Sequence, residues 1–221
     1  SELHAIAHKM VEKGKGILAA DESTPTCKKR FDSISTESTT GTRNYYRNLL
    51  FTSKGIEKFI SGVILFDETF HQSELETGKK YPDFLSGLGI LPGIKVDQGL
   101  GDFGDGEKLT KGLDGLSERL NNYYSLGARF AKWRAVINIS ETFPSKDCIE
   151  ANADTLAKYA LACQQSNLVP IVEPEVIMDG NHTIDQSFDV TSRALSSVFD
   201  QLQNHNVSLQ GIVLKPNMVL S

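Results

Sequence analysis

Cysteine is scarce in this chain of 221 residues. There are three, Cys27, Cys148 and Cys163, an odd number with no CxxC spacing. A disulfide framework is not expected, and a reducing compartment is the natural setting. Long apolar runs are missing too. Stretches such as Gly62-Val63-Ile64-Leu65-Phe66 fall far short of the ~20 residues that a membrane helix needs. Ser1-Glu2-Leu3-His4 lacks the basic start and apolar stretch of a secretion signal, so no membrane partner and a cytoplasmic location are expected. Excess positive charge is lacking as well: 23 Lys and Arg stand against 28 Asp and Glu, for a net charge of −5. That balance argues against a nucleic-acid partner. It leaves room for a small anion, because local charge can oppose the global sign. His4 and His8 lie four apart on an expected helix, but no third ligand is near in sequence, and no protein-bound metal is expected. There is no Walker sequence. The glycine-rich segment 99–106 carries aspartates that would repel phosphate, so it reads as a flexible loop.

What is present is a globular composition, 39% apolar and 23% charged, with a supersecondary rhythm. Short runs rich in Val, Ile and Leu recur at 16–20, 62–66, 93–96, 128–136, 168–172 and 211–214. Continuous apolar runs suit strands buried on both faces, as in parallel sheets. Helical patterns lie around them: a first helix capped by Ser1, then 39–52, 115–126, 148–165 and 186–205. The order is that of an α/β protein. A charged residue closes every strand (Asp21, Asp67, Lys95, Lys132, Glu173, Lys215), at intervals of 46, 28, 37, 41 and 42 residues. An open doubly wound sheet places site residues only at its switch point. A (β/α)₈ barrel gathers all strand ends at one mouth. The expected fold is therefore a TIM (β/α)₈ barrel forming a single domain over 1–221, with six of its strands present. Two further units would take roughly 80 residues, so a longer protein lacking its C-terminal third here is expected.

Three strands carry charged residues two apart: Lys95 and Asp97, Lys132 and Arg134, Glu173 and Glu175. With period 2, each pair faces one side. On the outer side they would sit unpaired under helices at a cost of several kcal/mol, so either they share a wet pocket at the mouth or they lie past the strands on solvated loops. Lys215 follows an apolar strand and precedes Pro216. Desolvation and a neighbouring cation such as Lys132 would lower its pKa from about 10.4 and free a nucleophilic amine. Glu173 or Glu175 could then shuttle the protons of imine formation. Lys29, Arg30, Lys95, Lys132 and Arg134 would make the mouth positive, which suits a phosphorylated substrate. The loop 21–26 reads equally as a capping turn or a phosphate cradle.

These residues fall in a set of motifs that resembles class I fructose-1,6-bisphosphate aldolase: Gly-Ile-Leu-Ala-Ala-Asp-Glu-Ser-Thr (16–24), Gly-Val-Ile-Leu-Phe (62–66), Gly-Ile-Lys-Val-Asp (93–97), Gly-Leu-Asp-Gly-Leu-Ser-Glu-Arg (112–119), Ala-Lys-Trp-Arg (131–134), Val-Pro-Ile-Val-Glu-Pro-Glu (169–175) and Leu-Lys-Pro-Asn-Met-Val (214–219). The resemblance implies a metal-free and cofactor-free lyase, usually a homotetramer. It would reversibly cleave fructose 1,6-bisphosphate to dihydroxyacetone phosphate and glyceraldehyde 3-phosphate. It implies that Lys215 forms the Schiff base, that Glu173 is the general acid/base and that Lys132 assists carbinolamine chemistry. Asp21 would promote C–C cleavage at the C4 hydroxyl, and Glu175 would support the lysines. Ser23, Thr26 and Lys95 would take the phosphate remote from the imine, with Arg30, Arg43 and Arg134 as further substrate contacts. Thr26 stands where muscle-type members have serine, Pro25 replaces a glycine and Gln98 a lysine. Two alternatives stay open: a Schiff-base aldolase for another sugar phosphate or keto acid, and a non-catalytic scaffold.

Overall fold

Hydrophobic periodicity dictates two kinds of element, and the computed structural model, which describes residues 1–220, places helices between the successive strands of its main sheet. In chain order they are α1 (Glu2–Met10), β1 (Gly16–Ala20), α2 (Thr24–Asp32), α3 (Thr40–Phe51), β2 (Ile60–Leu65), α4 (Asp67–Phe70), α5 (Tyr81–Gly87) and β3 (Leu91–Lys95). There follow β4 (Leu100–Gly104), β5 (Glu107–Thr110), α6 (Leu116–Ser125), β6 (Phe130–Ile137), α7 (Lys146–Gln165), β7 (Val169–Val176), α8 (Ile184–Asn204) and β8 (Val213–Leu214). Six strands form one parallel sheet in the order β1-β2-β3-β6-β7-β8. The order never reverses, which excludes a doubly wound sheet and fits six successive units of a TIM barrel. Among the described residues, no helix is long and apolar enough to cross a membrane.

The helices begin where local chemistry stops their first N–H groups from going unpaired. Ser1 accepts from the His4 N–H, and Ser145 from that of Cys148. Thr39 with Thr42, and Thr183 with Gln186, form capping boxes.

Alternation along the strands separates two layers. Outward residues such as Val63, Leu65, Ile94, Trp133 and Val172 pack with Phe51, Leu120, Leu156, Tyr159 and Leu202 of the surrounding helices. Inward residues Ile64, Leu91, Phe130, Val169 and Ile171 form a second cluster with Ala7 and Met10, so α1 closes the bottom of the curled sheet. The Phe130 ring fills this floor. A Cβ on Gly93 would come within 2.2 Å of that ring and one on Gly62 within 2.9 Å, so both neighbouring strands need glycine there.

The segment expected to be a flexible loop is instead the antiparallel hairpin β4–β5, paired from Leu100 with Thr110 to Gly104 with Glu107. Asp105 and Gly106 supply the two positive-φ turn residues, at 51° and 91°. Its partners fix it further: the Glu107 carboxylate accepts from the Ser145 N–H and hydroxyl, and the Thr110 hydroxyl donates to the Arg134 carbonyl at 2.7 Å. The helix α2 was not foreseen either. It starts inside the loop that follows β1.

Arg43 of α3 joins that helix to the chain after β2. Its guanidinium makes a two-pronged contact with Glu68, 2.8 Å on each prong, and adds the Ser38 carbonyl and hydroxyl. The hydrogen bonds from Arg43 hold the Glu68 carboxyl below its ordinary 4.5, against burial that acts the other way.

Two outcomes test this packing. Gly93→Ala drives a methyl into Phe130 and is expected to destabilise by ~1–3 kcal/mol, read from urea unfolding; an unchanged midpoint would refute the close approach. Glu68 has a lowered folded pKa, so its contribution is complete above about 4.5 and is lost as pH falls through the folded value. The acid limb of the stability–pH curve should therefore flatten in Glu68→Gln, and an identical limb would contradict it.

Candidate functional site

The charged residues at the upper ends of the strands converge on one cavity of about 1030 Å³. It is lined by ten of the eleven residues singled out from the sequence: Asp21, Ser23, Thr26, Arg30, Lys95, Lys132, Arg134, Glu173, Glu175 and Lys215. Period 2 accounts for this. On β7, Val169 and Ile171 face the floor and Glu173 and Glu175 follow on the same side; on β6, Phe130 is followed by Lys132 and Arg134. The three pairs two apart therefore point into the cavity and not onto solvated loops.

At the centre, the carboxylate of Glu173 lies between two amines. Its Oε1 forms an ion pair with Lys215 Nζ at 2.8 Å, and its Oε2 lies 3.6 Å from Lys132 Nζ. Lys132 in turn donates to Asp21 Oδ2 at 3.0 Å. Lys132, Glu173 and Asp21 are buried. Burial alone would lower the Lys132 pKa, but the charges of Asp21 and Glu173 outweigh it and the net shift is upward. Lys132 thus stays a cation beside Glu173. The desolvation expected at Lys215 is not found. Its side chain is 49% exposed, just past the two-residue strand β8 that pairs with β7.

On one flank, Lys95 donates to Asp97 Oδ1 at 2.8 Å and to its carbonyl. Arg134 is held by Glu175. Ser23 occupies the N-cap position of α2 yet caps no backbone N–H. Its hydroxyl lies 3.0 Å from that of Thr26. Of the two meanings open for the loop 21–26, plain side-chain capping is thereby set aside. Arg30 contacts Glu22.

Two expectations need correction. Arg43 does not line the cavity: the Glu68 carboxylate and the Ser38 oxygens turn its guanidinium away. The mouth is not positive, since its six lysines and arginines face six carboxylates. Each strand end that supplies a cation has a carboxylate neighbour, as burial of charge requires.

Further lining residues went unmarked in the sequence. Arg119 and Tyr123 reach the cavity from α6 and Phe66 from the end of β2, beside Asp67, which the sequence marks as a strand-end charge. Tyr123 donates to Asp67 Oδ1 at 2.5 Å, while Arg119 donates to the carbonyls of Val96 and Gly112. The i, i+4 spacing of Arg119 and Tyr123 was the available signal. His4, weighed above as a metal ligand, instead meets the Ser208 hydroxyl at 3.1 Å. Among the described residues, no group of three or more His, Cys, Asp and Glu could hold a metal ion.

Comparison with known proteins bears on the same chemistry. The family model described as glycolytic fructose-bisphosphate aldolase class-I matches residues 2–221. A Xanthomonas campestris protein named "Probable fructose-bisphosphate aldolase class 1" is 52% identical over 100% of this chain and 66% of its own length. Fructose-bisphosphate aldolase 1 of Toxoplasma gondii is 53% identical over 99% of this chain and 61% of its own length. A solved Plasmodium falciparum fructose-bisphosphate aldolase, in complex with TRAP and a small-molecule inhibitor, superposes with a TM-score of 0.96 at 53% identity, covering 100% of this chain and 64% of that one. The chain thus spans just under two thirds of the length of the relatives it matches. With a family match along nearly its whole extent, this chain belongs to the class I fructose-bisphosphate aldolase family.

Proposed function

We propose that the cavity cleaves fructose 1,6-bisphosphate reversibly, through an imine on Lys215, to dihydroxyacetone phosphate and glyceraldehyde 3-phosphate. The observation that carries this reading is the Glu173 carboxylate, ion-paired with Lys215 at 2.8 Å and flanked by the buried cation Lys132. One proton passed from Lys215 Nζ to Glu173 Oε1 creates a neutral amine and a carboxylic acid together. The amine adds to the C2 ketone, and the resulting carbinolamine loses water as the acid returns its proton to the departing hydroxyl. Lys132 remains protonated and stabilises the oxygen on which charge develops. The protonated imine is the electron sink. Asp21 takes the proton of the C4 hydroxyl, the C3–C4 bond breaks to an aldehyde and an enamine, and protonation at C3 followed by hydrolysis restores Lys215. The sink is supplied by the chain itself, so the reading needs no metal or cofactor.

Ser23, Thr26 and Lys95 are the proposed phosphate site remote from the imine. Two hydroxyls not used for capping and one ammonium fit a phosphate oxygen set. Arg30 and Arg134 are further proposed substrate contacts, oriented by Glu22 and Glu175. The family reading also carries a cytoplasmic homotetramer built from single barrel domains, testable by sedimentation velocity and by limited proteolysis.

Borohydride reduction in the presence of dihydroxyacetone phosphate, followed by peptide mass mapping, tests the chemistry on the folded protein. A stable adduct on Lys215, absent from Lys215→Met and unaffected by a chelator, is expected. No adduct, or one that survives Lys215→Met, would overturn the imine reading. Glu173→Gln removes the proton carrier and is expected to lower kcat by ~10²–10⁴-fold. A kcat within a factor of ~3 of the parent would assign that role elsewhere.

A further inference from the structure

Arg47, on α3, is 0% exposed, a degree of burial that arginine rarely has without partners. Its partners bracket Asp21. Nε donates to the Ala20 carbonyl at 3.2 Å and Nη2 donates to the Glu22 carbonyl. The same Nη2 lies 3.6 Å from the Glu22 carboxylate, which also accepts from the Tyr46 hydroxyl at 3.1 Å and pairs with Arg30. The Phe66 ring, on the cavity wall, is centred 5.9 Å from the guanidinium carbon.

These carbonyls lie where the sheet gives out. The last pair of β1 joins Ala20 to Leu65, and no strand partner follows for Asp21, Glu22 or Ser23. A chain end of this kind is free to move unless something else satisfies its carbonyls. The forked guanidinium does so on both sides of one residue, while Lys132 draws the Asp21 side chain inward at 3.0 Å. Arg47 itself does not line the cavity.

We propose that Arg47 is a positioning residue for carbon–carbon cleavage: by clamping the carbonyls before and after Asp21, it fixes where the Asp21 carboxylate meets the C4 hydroxyl. This rests on the imine reading above. It predicts a split between the two halves of the reaction, because imine formation draws on Lys215, Glu173 and Lys132, which sit on other strands. A lysine in place of Arg47 keeps the charge but cannot fork to two carbonyls.

The test uses the protein at its full natural length. Arg47→Lys is expected to lower kcat for fructose 1,6-bisphosphate cleavage by ~10–100-fold, with KM within ~3-fold and the rate of borohydride trapping of dihydroxyacetone phosphate on Lys215 within ~2-fold of the parent. In an Asp21→Asn background the same substitution should cost no further activity, since the two residues act as one unit. Equal losses in cleavage and trapping, or full additivity with Asp21→Asn, would show a general structural role and overturn the proposal. If Arg47→Lys does not fold, Glu22→Gln loosens the same clamp from its other side. A kcat loss of ~3–10-fold with KM and adduct trapping at parental values would then support the proposal, and parental kcat, or a raised KM of the kind that releasing Arg30 would give, would overturn it. A parent protein that forms no adduct on Lys215 would remove both the imine reading and this one. An adduct with no split removes this one alone.

Discussion

Placing Lys132 and Glu173 inside a parallel sheet would cost several kcal/mol per ion if either stood alone. They are tolerated because charge alternates across the curled sheet: Lys215 on the last strand, Glu173 beside it, then Lys132, then Asp21 on the first strand. Each member faces a neighbour of opposite charge, and the row spans strands that are far apart in sequence. Deleting an inner member leaves a buried partner uncompensated. The row also decides the chemistry, because a carboxylate between two amines can deliver a proton to one while the other stays charged.

Apolar packing sets the depth at which this happens. The floor beneath the row is Phe130 over Gly62 and Gly93, with α1 closing it from below. On β6 the step from Phe130 to Lys132 is one period of the pleat, and on β7 so is the step from Ile171 to Glu173. A floor of this kind covers the lower side of Lys132 and Glu173 with apolar side chains. On the outer face, the same strands bury Trp133 and Val172 under helices. A single register thus serves both stability and function, and slipping any strand by one residue would exchange the two faces.

Much of this was legible in the sequence because it depends on period and spacing. The six strand positions, their charged ends and the pairs two apart are local patterns, and a barrel is the arrangement that gathers them. What escaped was carried by contacts between distant residues. Arg43 and Arg47 both stand on α3 as ordinary helix arginines; only the fold decides that one meets Glu68 and the other the carbonyls beside Asp21. The neutrality of the mouth escaped for a related reason. The cations were counted as a group, while Glu22, Asp67 and Asp97 reach the same space from loops beyond the strands. The hairpin β4–β5 had a local signal, the Asp105-Gly106 turn, but its glycines outweighed its short, weakly apolar strands. Its order comes from the distant Ser145 and Arg134.

The balanced charge of the cavity constrains how an anion can be held there. A uniformly positive mouth would attract any phosphate and hold the loops apart by self-repulsion. Here every cation except Arg119, which donates to the Val96 and Gly112 carbonyls, already has a carboxylate partner, so at those cations a phosphate gains only where it can add to, or replace, that partner. Lys95 is tied to Asp97 on its own strand end, and Ser23 and Thr26 hold hydroxyls that no helix cap consumes. In that corner an added oxygen can meet the two hydroxyls while Lys95 keeps its contact with the buried Asp97 carboxylate. Around Lys132 and Glu173 the opposite holds, because an extra anion there would compete with partners that are already buried and paired. For the proposed bisphosphate, the electrostatics thus direct the remote phosphate to the loop after β1 and leave the neutral carbonyl to the lysines. The selection comes from which ion pairs are complete, not from net charge.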